Sequence, residues 1–146
     1  MQTPFFDGRS SGPLAWLALA ELAGRGRPGT RGTAGWLSLA AALGGAEAVF
    51  EATTAQLRDA GLAEAGRRAL GLFGGWESLR RRLRRCSGLG ISIVTVDGDG
   101  YPPLLRQIPD PPLALYCLGD PPARAQPAVA MVGTRPPSWP LPGSRW

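Results

Sequence analysis

Lysine, histidine and asparagine are absent from this 146-residue chain. Without histidine there is no Ser-His-Asp or Cys-His pairing and no imidazole metal ligand; without lysine there is no Schiff-base amine and no Walker-A phosphate loop. Cysteine is scarce as well, and its two copies, Cys86 and Cys117, stand far apart in no metal-ligand spacing. They read as buried or idle thiols of a cytosolic protein, and no metal or cofactor is expected. Long apolar runs are missing too: the stretch from Leu14 to Ala23 is too short to span a bilayer. No basic segment precedes an apolar one between Met1 and Pro13, so no signal peptide is read and the cytoplasm is the expected location.

What is present is a large supply of arginine, glycine, proline and alanine. All 16 basic residues are Arg, against 11 Asp and Glu, for a net charge of +5. That balance favours a polyanionic partner and says nothing about fold. With 21 Gly and 15 Pro and alanine dominating the helical stretches, the composition is that of a GC-rich gene. Part of the positive excess is therefore discounted as codon usage. The apolar share of 44% suffices for one domain, or for a small domain with a fragment of a second.

Periodicity divides the chain near Gly90. Before it, Leu14, Leu17, Ala18 and Leu22 share a helical face that ends at Gly24, and Trp36, Leu39, Ala40 and Leu43 mark a second helix starting near Gly35. A short helix over Ala46 to Glu51 precedes Thr53 and Gln56, which match a capping box. Further helices run from there to Ala60, from Ala63 to Phe73 and from Trp76 to Cys86, the last with a Trp76, Leu79, Leu83, Cys86 stripe. After Gly90 the period changes: Ile91 to Val96, Leu113 to Leu118 and Ala128 to Val132 read as strands, with a proline-led helical turn at Pro102 to Ile108.

Several segments have a candidate chemistry. Gly24-Arg25-Gly26 lies where a helix-hairpin-helix would present backbone N–H groups to a phosphate, but a charged Arg25 and the long loop after it favour a flexible connection. Arg80, Arg81, Arg84 and Arg85, with Arg82, form either an accessory basic patch for a nucleic-acid backbone or the solvated face of an amphipathic helix, with Glu77 paired to Arg81. Asp97-Gly98-Asp99-Gly100 fails as a calcium loop, because Pro102 and Ile108 occupy the positions that require Gly and Glu, and reads as a polar turn. Gly133, Thr134 and Arg135 follow the strand at Ala128 to Val132. There a glycine admits close backbone approach, a hydroxyl donates and a guanidinium forms a fork, a combination that suits phosphate.

Taken in order, Asp99-Gly100-Tyr101-Pro102-Pro103-Leu104-Leu105, Ile108-Pro109-Asp110-Pro111-Pro112, Leu115-Tyr116, Gly119-Asp120 and Ala128 to Arg135 resemble the DNA-processing protein A (DprA/Smf) family. The resemblance implies an α+β or α/β architecture: residues 1–12 a disordered N-terminus, 13–89 a helical SAM-like, helix-hairpin-helix-like domain, and 90–135 the first strands of a Rossmann-like domain. It implies a binding protein with no catalytic residues, which holds single-stranded DNA and loads the RecA recombinase in natural transformation. The intact family further implies a homodimer and no membrane attachment. The positions of this chain that match the family's DNA pocket are Gly133, Thr134, Arg135 and Ser138.

The family pattern continues with Tyr-Gly and a helix, whereas this chain continues with Trp139-Pro140-Leu141-Pro142-Gly143. Residues 136–146 accordingly read as a frameshifted or misassembled tail on a truncated gene, and DNA binding is expected to be impaired or lost. Rival readings are a fragment of a phosphoribohydrolase-like nucleotide enzyme and a stand-alone helical interaction module served by Trp16, Trp36 or Trp76. The tail reading predicts a Tyr-Gly-containing continuation in another frame beyond the codon for Ser138; sequencing the downstream DNA and finding none rejects it.

Overall fold

The computed structural model describes residues 12–24 and 32–119. Expectations that fall elsewhere lie outside the described residues: the Arg25-Gly26 part of the Gly-x-Gly turn, the strand at Ala128 to Val132, the Gly133-Thr134-Arg135-Ser138 set and the tail.

Six helices precede two strands among the described residues: α1 Gly12–Gly24, α2 Gly32–Leu43, α3 Ala46–Glu51, α4 Thr54–Asp59, α5 Glu64–Gly71, α6 Trp76–Gly88, β1 Ile91–Thr95 and β2 Ala114–Leu118, with the short helix α7, Pro103–Arg106, between the strands. The helix α1 opens at Gly12, inside the stretch expected to be disordered, and α2 starts three residues ahead of the expected Gly35. The capping box is formed: Thr53 N–H donates to Gln56 Oε1 at 2.8 Å, and Gln56 N–H donates to Thr53 Oγ1 at 3.3 Å. Gly61, at φ 84°, ends α4. Its N–H donates to the Arg58 carbonyl and the Leu62 N–H to the Leu57 carbonyl, each at 2.9 Å, the paired bonds of a left-handed C-cap.

Periodicity understates the burial of α1. In place of one apolar face, the structure buries Ala15, Trp16, Leu17, Ala18, Leu19 and Leu22, so most of the circumference is enclosed. A helix this uniformly apolar can satisfy its side chains only at the centre of a fold. It packs against α2, α3, α6 and both strands. One side meets Trp36, Leu39, Val49, Val96, Tyr101 and Leu113; the other meets Leu79, with Leu83, Ile93 and Ala114 alongside. The apolar cluster therefore runs across Leu89 and Gly90, where helices give way to strands.

The strands pair antiparallel, Ile93 opposite Tyr116 and Val94 opposite Leu115. The described architecture is thus a mostly helical α+β arrangement closed by a two-stranded sheet. No described helix is long and apolar enough to cross a membrane.

Leu79 of α6 is fully buried against Leu17 and Ala18 of α1. Leu79→Ala is expected to destabilise the fold by about 2–5 kcal/mol, through lost transfer energy and the cavity left behind. A urea-unfolding midpoint that does not move refutes this packing.

Candidate nucleic-acid interface

The long connection from Val96 to Leu113 is held in two places. Tyr101 is buried, and its hydroxyl donates to the Pro112 carbonyl at 2.8 Å across the neck of the loop. Burial holds the phenol above its ordinary pKa, opposed by the positive charge of Arg106. Arg106 lies over the ring, 5.5 Å from its centre, and donates to the Gly98 carbonyl at 3.1 Å. At the second point Asp110 reaches the head of α2, where Oδ1 accepts from the Thr33 hydroxyl at 2.5 Å and from the Ala34 N–H at 2.9 Å. The Ala34 N–H is a donor that a helix start leaves without an internal partner, and the carboxylate also sits at the positive end of the helix dipole. The Tyr-Pro and Asp-Pro-Pro motifs thus tie the loop to the helices.

The basic side chains are distributed differently. On α6 a core side of Leu79, Leu83 and Cys86 leaves Arg80, Arg81, Arg84 and Arg85 exposed. Arg82 turns instead toward α1 and the sheet, pairing with Glu21 at 2.8 Å. Tyr116 first, and then Glu21, raise its pKa against the opposing effect of burial. The expected Glu77–Arg81 pair is not formed: Glu77 pairs with Arg84 at 3.0 Å, nearly two helical turns along. Both side chains of that pair are exposed, so little stability rests on the exchange.

Of the other sequence candidates, Cys86 is buried and Cys117 half-buried. No cluster of three or more His, Cys, Asp or Glu among the described residues could hold a metal ion. The tryptophans proposed for an interaction module face inward. Trp16 and Trp36 are buried, and half-buried Trp76 is held edge-on between Phe50 and Phe73, with ring centres at 4.8 and 5.0 Å. Core packing accounts for all three. Sequence reasoning missed Asp110 as the cap of α2; the signal available was an acid beside prolines with no local partner.

The motif-bearing loop and the strands around it also decide the comparison with known proteins. Residues 92–140 match the family model of DNA recombination-mediator protein A. The resemblance read from the motifs is borne out over that span, which takes in the Tyr-Pro and Asp-Pro-Pro segments and Gly133-Thr134-Arg135 and is well under half of the chain. The helices from α1 to α6 lie outside the recombination-mediator match. No curated protein and no solved structure matches the chain.

The cap on α2 carries a pH signature. Hydrogen bonds from the Thr33 hydroxyl and then the Ala34 N–H lower the Asp110 pKa, so folding favours the ionised form. Its contribution is complete above the ordinary aspartate range, near about 3.9, and is lost as pH falls through the lower value of the folded state. Asp110→Asn is expected to lower the thermal midpoint at neutral pH, with the gap from wild type closing as the solution is acidified through that range. A gap that does not depend on pH argues against an ionised cap.

Proposed function

We propose that the chain is a recombination mediator that binds single-stranded DNA in the cytoplasm and delivers it to the RecA recombinase, with activity impaired because residues 136–146 depart from the family pattern. In this reading it is a binding protein with no covalent chemistry, in which a SAM-like helical unit leads into the first strands of a Rossmann-like one. The observation that carries the reading is the recombination-mediator match over residues 92–140. Within it the Tyr-Pro, Asp-Pro-Pro, Leu-Tyr and Val-Gly-Thr-Arg segments follow one another in the family's order. Gly133, Thr134, Arg135 and Ser138 are the proposed phosphate contacts: a glycine for close backbone approach, two hydroxyl donors and a guanidinium able to grip two phosphate oxygens at once.

The test is a titration of fluorescently labelled oligonucleotides with the purified chain. Single strands should bind more tightly than duplex of the same length. Affinity for them should fall at least about tenfold across a roughly fourfold rise in salt, the minimum expected from two or three phosphate contacts at this turn. Arg135→Ala should weaken binding further, and a RecA filament assay on the same strand should respond to wild type more than to the variant. Absence of oligonucleotide binding at low salt rejects the reading.

A further inference from the structure

Six of the described arginines are engaged. Arg58 pairs with Asp59, Arg68 with Glu64, Arg82 with Glu21 and Arg84 with Glu77. Arg67 donates to the Leu62 carbonyl, and Arg106 donates to Gly98 and covers Tyr101. Arg80, Arg81 and Arg85 have no such partner among the described residues, and all three are exposed on α6. Glu77 is the helix's sole acid and is already taken by Arg84.

The arrangement is unfavourable in the isolated chain. Arg81 and Arg85 are one turn apart, as are Arg80 and Arg84, and like charges at that spacing repel. The helix dipole offsets part of this for Arg85, which is in the last turn, and does less for Arg80 and Arg81. A polyanion laid along the face would remove the repulsion. Guanidinium groups suit phosphate oxygens, which they grip through parallel N–H bonds. From Arg80 to Arg85 the helix rises only about 7.5 Å, so all three can act on one short stretch of strand.

We propose that the outward face of α6, formed by Arg80, Arg81 and Arg85, is a second contact for the phosphate backbone of single-stranded DNA. The proposal rests on the DNA-binding reading above and adds to it a surface outside the matched span. The contact is electrostatic and indifferent to base sequence. It adds to affinity mainly at low salt, and it is available on the folded helical part whatever the Gly133-Thr134-Arg135 turn does.

The test compares wild type, the triple variant Arg80→Gln/Arg81→Gln/Arg85→Gln, the control Arg58→Gln/Arg68→Gln and Arg135→Ala, each titrated with a labelled single strand at about 50 and about 200 mM salt. Circular dichroism confirms that each variant is folded. Removing three contacts should flatten the dependence of log affinity on log salt by about 2, so that the wild-type advantage shrinks roughly twenty-fold between the two salt concentrations. The control should keep a slope close to that of wild type. If wild type binds and the triple variant keeps its slope, or the control loses as much as the triple variant, the α6 contact is refuted while the DNA reading stands. Displacement of the strand by polyglutamate as readily as by unlabelled DNA also refutes it, in favour of an acidic-protein surface. If wild type binds no DNA, both proposals fall.

Discussion

An exposed carboxylate, Asp110, joins the connection between the strands to the head of a helix 77 residues earlier in the chain. Much of the described structure depends on that bond. The loop from Val96 to Leu113 is long for a segment with only one helical turn of its own, and loops of that length are ordered only when something holds them. Here Tyr101 is drawn into the helical core and bonded to Pro112, while Asp110 is bonded to α2. Around the Asp110 anchor, Pro109, Pro111 and Pro112 restrict the chain before it folds, which reduces the entropy lost on fixing it. Leu113 then enters the core at the start of β2. The two strands lie against α1 through Ile93, Val94, Ala114 and Leu115, and the loop between them is pinned on the same helical side.

That dependence separates the motifs by role. The residues that make the family resemblance visible between Tyr101 and Pro112 act in the fold: a buried phenol, a cap and prolines between them. A tyrosine whose ring is covered by Arg106 and whose hydroxyl is bonded to a carbonyl is not placed to stack on a base. Among the described residues, the groups with free hydrogen-bonding capacity and positive charge lie on α6.

Much of the helical layout is legible in the sequence because its signals are local. The Thr53–Gln56 box, the glycine at position 61 and the change of period at Gly90 each lie within a few residues of the structure they specify. What was not legible depends on distance. The depth of α1 could not be read from its own face, because Trp16 and Leu19 are buried by strands and helices far along the chain. Nor could the partner of Asp110, which forms no bond with its neighbours, or the choice of Glu77 between two arginines that are both within helical reach. For the basic patch, sequence supplies the charges and the structure supplies the pairings, which separate Arg82 and Arg84 from the rest.

The apolar side of α6 explains why Arg80, Arg81 and Arg85 face outward, and Arg82 marks the margin of that side. Glu21 is the sole acid of α1, and Tyr116 is a half-exposed aromatic residue of β2. Arg82 meets both, and so bridges the central helix and the sheet at one edge of α6. Leu79, Leu83 and Cys86 on the core side set the rotation of α6 about its axis, and the partly exposed Arg82–Glu21 pair lies at the margin of that side. Turning Arg81 and Arg85 toward the protein would bring Leu79 and Cys86 out into water. The exposed charge of the face is therefore a consequence of packing, and its arginines remain available to an anion because the acids within their reach are already paired.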